Sequence, residues 1–546
     1  MTLPDKKPAF PTRLRGWLRQ LASLPEPLEF DYPFARSDIA RLATVEAGPA
    51  LIDAQTWDEM LLDAYSDALA AQTSIFGQQR LHQRLANGVA DPASTERVRA
   101  LLAAPEAMAR LQQAMHGLRS VDMEVSAPLF GQPIASPPWW RRLLPLPPLA
   151  LLLSLAAALL FAPLAWFGVL AAWVVLMMVQ VQFHERCKHW QRSVQTLQQL
   201  LLAHERLGAL DTPFTQGWQD EARQAGRLHR RLVPMRWLKL IPLLSEYEDW
   251  FMLGDVRRYF RSRLLLLRQR DFLRDSFLRV ADLEADLALA RHLQGGGQFC
   301  WAQAAPANAH CLRLEQVRHP LLPAAVPLSL TLDARGAFVS GQNGIGKSTL
   351  LRTVGLNLIC ARAFGFCHAQ SAFVPLLPLY SSMQSEDSLA GGESLYLAEL
   401  RRARELLALA DSDAEGEGAA LFIIDEIFRG TNHLESISAA AAVLHTLAAR
   451  HMVIVSSHNL VLAPLLEDCL APWCVRRDAS GALLLAPGVL QATNGIALLA
   501  ERGFGSQIED KAGRVFDWLS GHMAQPADCS GVLEDDKLID KQNVLT

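Results

Sequence analysis

The chain of 546 residues lacks several things, and each shortage closes off a class of protein. Its eight cysteines (187, 300, 311, 360, 367, 469, 474 and 529) form no C-x-x-C pair and no His/Cys run with zinc spacing. That argues against a structural zinc site or a disulfide scaffold and fits free thiols in a reducing compartment. Met1 to Leu24 carries Lys6, Lys7, Arg13, Arg15 and Arg19 without an apolar core, so it does not read as a secretory signal. The net charge is only −4, too small to mark the whole chain as a polyelectrolyte. No internal repeat is evident. The sharpest absence is local: from Leu143 to Phe183 there is no charged side chain over 41 residues.

As one helix that run would extend about 60 Å at ~1.5 Å per residue, whereas a bilayer core is about 30 Å thick. The arithmetic favours two crossings, Leu146–Phe161 and Leu164–Gln182, broken at Pro163. Trp139, Trp140, Trp166 and Trp173 supply interfacial aromatics. Arg141 and Arg142 flank one end, Arg186 and Lys188 the other, which puts both flanks on the cytoplasmic side of an inner or cytoplasmic membrane. The competing reading is a buried hairpin in a soluble helical domain. Just beyond, residues 184–280 hold 18 Lys/Arg against 11 Asp/Glu. This basic stretch, Arg257, Arg258, Arg261, Arg263, Arg268 and Arg270 above all, suits nucleic acid, anionic lipid or solvated helix faces.

What is present points to phosphate chemistry. Gly341-Gln342-Asn343-Gly344-Ile345-Gly346-Lys347-Ser348 spells G-x-x-x-x-G-K-[ST] between a strand-like Ala337–Ser340 and a run from Thr349 that can open a helix. Such a loop aims backbone N–H groups at an anion, and the helix adds its positive dipole end. Lys347 would meet the β/γ-phosphates and Ser348 would ligate Mg²⁺. Leu421–Asp425 reads as a buried parallel strand with Asp425 and Glu426 at its C-terminal end, where open α/β sheets hold ligands. Asp425 suits the Mg²⁺ shell and Glu426 the attacking water. Met452–Ser456 is a further buried strand. His458 just beyond it could touch a γ-phosphate or lytic water, or simply cap the strand end. Ser394, after Leu389-Ala390-Gly391-Gly392-Glu393, reads as a helix N-cap or as a group facing a second subunit's γ-phosphate.

In order, Gly-Gln-Asn-Gly-Ile-Gly-Lys-Ser-Thr (341–349), Leu-Ala-Gly-Gly-Glu-Ser (389–394), Asp-Glu-Ile-Phe-Arg-Gly-Thr-Asn (425–432) and Ser457-His458 resemble the ATPase domain of the MutS mismatch-repair family. Arg318-His319-Pro320, Pro487-Gly488 with Asn494-Gly495-Ile496-Ala497, and Thr73–Gly77 with Arg80-Leu81 extend the resemblance. It covers about 310–510 strongly and 50–120 and 245–310 weakly. Gln342, Gly344, Ile345, Asn432 and His433 depart from the family pattern. The loop and Leu389–Glu393 also echo transporter-type ABC ATPases. Neither a mismatch-reading domain nor a Phe-x-Glu wedge is seen.

The resemblance implies ATP and Mg²⁺ as ligands. It also implies a homodimer through the ATPase domain, with Ser394 completing the site in trans. The expected organisation begins with an irregular segment (1–50), a first helical core segment (51–140) and a transmembrane hairpin (141–184). A second helical core segment (185–300), an α/β P-loop ATPase domain (301–520) and a loose tail (521–546) follow. The strands of the ATPase domain are expected near 328–333, 337–340, 421–425, 452–456 and 483–486. The function expected is a membrane-anchored MutS-like ATPase coupled to DNA. The alternatives are a membrane ATPase without a DNA role and an ABC-type transport component.

Overall fold

The computed structural model describes residues 33–46, 50–132, 136–160, 163–233, 249–306, 311–333, 335–383, 395–414, 419–478, 483–490 and 506–523. Two compact units emerge from its internal contacts, and their segments alternate along the chain. Met1–Ala47, Ala70–Gln83 and Arg97–Arg291 make one, while Gly48–Leu69, Arg84–Glu96 and His292–Thr546 make the other. The boundaries read from the sequence are consecutive instead.

Hydrogen bonds explain why residues near 55 belong with the second unit. The helix Ala54–Glu59 lies against the strand Leu379–Ser382, where Ser381 N donates to Thr56 Oγ1 at 2.7 Å. Ser381 Oγ donates to Glu59, whose carboxyl is pushed up by burial. Arg402, 5% exposed, donates to Ser381 O at 3.0 Å and pairs with Asp53. A buried guanidinium with a carboxylate and a carbonyl to satisfy it is a tie that single truncation would break at high cost.

In chain order the strands of this unit are β1 (Cys300–Trp301), β2 (Gln303–Ala305), β3 (Leu312–Val317), β4 (Leu328–Leu332), β5 (Gly336–Gly341), β6 (Phe366–Cys367), β7 (Ser371–Pro375), β8 (Leu379–Ser382), β9 (Leu421–Asp425), β10 (Met452–Ser456), β11 (Leu470–Arg477) and β12 (Leu483–Pro487). The central sheet has the order β12-β11-β5-β10-β9-β8. Its pairs are parallel except for β12, which runs antiparallel along β11. β5, β9 and β10 are buried at every position, as continuous apolar runs in a covered parallel sheet should be. Phe338, Phe422, Ile424, Val453 and Val455 share one core with Leu444 and Leu447 of the helix His433–Ala448.

All five expected strands exist, but β4 belongs to a separate sheet of order β2-β7-β3-β4. β8 and β11 were not expected. Pro472 argues against an inner strand by sequence. Here it sits opposite Phe338 of β5, and its carbonyl accepts from Gly488 N at 2.9 Å.

The first unit is helical among its described residues. Its helix Ile75–Asn87 opens on Glu284, which accepts from Ser74 N (2.8 Å), Ser74 Oγ (2.5 Å) and Gly77 N (3.0 Å). Arg80 pairs with Asp282 at 2.7 Å. These contacts give Thr73–Gly77 and Arg80 a physical reason: a helix start stitched to Arg270–Gly295 by one buried carboxylate.

The same unit contains the uncharged run. Leu146–Leu160 is helical, Pro163–Ala165 forms a 3₁₀ turn, and Trp166–Gly208 continues as one 43-residue helix. The two helices pack closely, since a Cβ at Gly168 would lie 3.0 Å from Ser154 Oγ. By length and composition only, Trp139–Leu160 and Trp166–Gly208 are long and apolar enough to cross a membrane. Leu152, Leu153, Leu159, Phe167, Leu170 and Met178 are exposed, so among the described residues nothing covers these apolar side chains.

The tightest backbone approach in the central sheet is at Gly336, where an added Cβ would lie 2.1 Å from Val453 O and 2.6 Å from Leu470 Cδ2. Carbonyl oxygen cannot yield as a flexible side chain can. Gly336→Ala is expected to destabilise this unit by about 3 kcal/mol, read as a lower urea midpoint. An unchanged midpoint would contradict the packing described.

Candidate nucleotide-binding site

The site grows from the C-terminal ends of β5, β9 and β10. β5 stops at Gly341, Gln342–Gly346 turn, and the helix Lys347–Phe364 begins. Gly344 (φ +72°) and Gly346 (φ +102°) take left-handed conformations, which L side chains adopt only under strain. Around each, an added Cβ would meet nothing within 4 Å, so the constraint is conformational. Gly341 is constrained by space, because its Cβ would lie 2.9 Å from Val475 O.

Of the loop residues named from the sequence, Ile345 is buried and anchors the turn, whereas Asn343 and Gly344 are exposed and Gln342 is half-buried. Ser348 (half-buried) and Thr349 (exposed) occupy the first helical turn. Lys347 is 7% exposed; its Nζ donates to Gly341 O at 3.0 Å and Gln342 O at 3.2 Å. Burial lowers its pKa, with Glu426 and Asp425 opposing. A cation held at the positive end of a helix, beside a tight glycine turn, is a cradle for an anion.

Asp425 ends β9, buried, and accepts from the Ser456 hydroxyl of β10. Its neighbour Glu426 takes φ +56°, an unusual conformation for a non-glycine residue. Glu426 N donates to Ser456 O at 2.9 Å. Its carboxylate lies between a histidine and an arginine: Oε1 is 2.8 Å from His458 Nε2 and Oε2 is 3.1 Å from Arg429 Nη1. The hydrogen bond from His458 is the largest influence on the carboxyl and outweighs burial, so its pKa is lowered. His458 Nε2 is also 3.3 Å from Lys347 Nζ. One nitrogen cannot both donate to the carboxylate and accept from the ammonium, and the shorter contact assigns its proton to Glu426. Lys347, Asp425, Glu426 and His458 are thus gathered where β5, β9 and β10 end. Ser394 lies outside the described residues.

Three residues with no role assigned by sequence reasoning support this arrangement. Ser456 orients Asp425, Arg429 braces Glu426, and Glu399 of the helix Leu395–Ala414 meets both Arg429 (3.7 Å) and Gly430 N (3.3 Å). Gly430 permits that approach, since a Cβ there would lie 2.6 Å from Tyr396 N. Arg429 was legible in the motif, but the contact from Glu399 depends on the fold.

Residues 337–475 match the family model for MutS domain V. The chain carries a MutS domain V. It is 27% identical over 255 residues to the DNA mismatch repair protein MutS of Thermus aquaticus, covering 45% of this chain and 30% of that one. With the DNA mismatch repair protein MutS of Treponema pallidum (strain Nichols) it shares 32% identity over 236 residues, 40% of this chain and 24% of the relative. The chain therefore spans a quarter to a third of the length of these MutS relatives.

Within this MutS-family domain, Asn432 departs from the residue the pattern leads one to expect, yet it does a cap's work. Its Oδ1 accepts from Glu435 N at 3.0 Å at the start of His433–Ala448, and Thr431 Oγ1 donates to Glu435 at 2.7 Å. Asn432→Ala is expected to cost about 1 kcal/mol while Asn432→Ser is nearly neutral, measured by chemical denaturation. Equal loss in both variants would show that the cap is not what the residue supplies.

Proposed function

We propose that this MutS-family chain binds and hydrolyses ATP with Mg²⁺ at a site completed by a second copy. In this reading the cycle is coupled to DNA and the protein is held at a membrane by its apolar hairpin. The observation that carries the proposal is the convergence of Lys347, Asp425, Glu426 and His458 where β5, β9 and β10 end. The loop N–H groups and Lys347 would bind the β/γ-phosphates. Ser348 and Asp425 fit the hard oxygen donors that Mg²⁺ prefers, and Ser456 already orients one of them. The metal, when bound, neutralises charge on the phosphate oxygens. Glu426, kept ionised by His458 and Arg429, would orient the attacking water and draw off its proton. His458 would face the γ-phosphate from the side of Lys347. Ser394 of the partner subunit would close the site.

Support for DNA coupling comes from the names of the MutS relatives and from the basic stretch 184–280. Support for membrane attachment comes from two adjoining helices with exposed apolar faces. An ABC-type transport role has no observation in its favour beyond the echo in the loop.

Glu426→Ala should retain ATP binding while hydrolysis drops at least about 100-fold, and Lys347→Ala should lose nucleotide binding itself. Steady-state hydrolysis and nucleotide titration of detergent-purified protein, with and without duplex DNA, test all of these roles. Undiminished turnover in Glu426→Ala would overturn the catalytic role. Rates and DNA affinity indifferent to duplex and to salt would overturn DNA coupling.

A further inference from the structure

The hairpin's charged end is built from more than its own flanks. The helix Gly254–Arg268, some 70 residues downstream, packs beside the point where the long helix turns from apolar to charged. Gln180 Nε2 donates to Asp255 at 2.8 Å, and Trp190 Nε1 donates to Ser262 Oγ at 2.9 Å. Between them the Phe260 ring meets Phe183 (5.5 Å) and Trp140 (5.4 Å) edge-on. Leu144, Leu176, Leu253 and Val256 complete this cluster. The packing therefore sets Gly254–Arg268 level with Trp139–Arg142 and with His184–Lys188.

The charge at that level is mainly positive. Arg142, Arg186, Lys188, Arg257, Arg258 and Arg261 are all exposed. The acids among them are few: Glu185 is exposed, Asp249 pairs with Arg258, and Asp255 is occupied by Gln180. Trp139 (77% exposed) and Trp250 (44%) present aromatic faces at the same place. An exposed apolar helix pair, then a belt of tryptophan, then a ring of cations is the profile of a bilayer interface read from hydrocarbon to headgroup.

We infer that these six cations form a collar that binds the headgroups of anionic phospholipids in the leaflet the hairpin enters. The inference rests on the membrane-anchoring reading and deepens it, because three of the six residues come from a helix outside the hairpin. Duplex DNA is the competing polyanion. The collar's continuity with exposed apolar helices and interfacial tryptophans favours lipid, as duplex DNA offers nothing to cover either.

The test uses the full chain, reconstituted in nanodiscs of equimolar phosphatidylcholine and phosphatidylglycerol, with lipids retained after detergent extraction quantified by mass spectrometry. Phosphatidylglycerol should be enriched about fivefold over phosphatidylcholine, falling toward parity at about 0.5 M NaCl as the charges are screened. Arg257→Gln/Arg258→Gln/Arg261→Gln should lose most of the enrichment while still floating with vesicles. Flotation of the unmodified chain without enrichment, enrichment unchanged in the triple variant, or a triple variant that loses duplex DNA binding with lipid selectivity intact would each overturn the collar. Failure of the unmodified chain to float with vesicles of either composition would instead overturn the anchoring on which it rests.

Discussion

A buried ammonium at the positive end of a helix governs this structure. Lys347 is where the dipole of Lys347–Phe364 would least welcome a cation, and burial further disfavours its charge. Two backbone carbonyls and the nearby carboxylates of Asp425 and Glu426 hold it there. Nearly everything else around the crevice follows from that tension. The glycines turn the loop, β9 delivers two acids within electrostatic reach, and β10 delivers the serine and histidine that orient them. An incoming polyphosphate would satisfy the lysine and meet the positive end of the helix together, which is the physical sense in which the arrangement is prepared for one.

The acids themselves are held unequally. Asp425 is buried and fixed by a single hydroxyl from the adjoining strand. Glu426 sits one residue beyond the sheet, in a strained backbone conformation, with its carboxylate shared between His458 and Arg429. A metal ligand benefits from rigidity, and a group that must address water benefits from a position at the rim. Arg429 in turn leans on Glu399, so the geometry around Glu426 extends to the helix Leu395–Ala414.

Legibility differed with physical cause. β9 and β10 could be read because strands buried on both faces are unbroken apolar runs, and the loop could be read because left-handed φ values demand glycine. Asn432 looked like a departure from a pattern, yet its amide oxygen performs the capping chemistry a hydroxyl would. β8 escaped because four residues with two serines carry no strand signal; its serine is instead engaged with Thr56, Glu59 and Arg402. β11 escaped because Pro472 forbids one ladder bond that neighbouring strands evidently do without. β4, correctly read as a strand, was given to the wrong sheet, since alternation in sequence says which face is buried but not which partner covers it.

By itself the sequence determined the identity of the phosphate-type loop, the acid-tipped strand, the histidine beyond its neighbour and the uncharged hairpin. Each is specified by local rules: glycine's conformational freedom, the continuous burial of parallel strands, the length a helix needs. Tertiary structure alone decided that segments near residue 55 belong with the sheet and that His458 donates a hydrogen bond to Glu426. It also decided that Glu399 braces Arg429 and that Arg257, Arg258 and Arg261 stand beside the hairpin's charged end. Those facts join residues separated by tens to hundreds of positions, and no local periodicity encodes a contact whose partners meet only when the core closes.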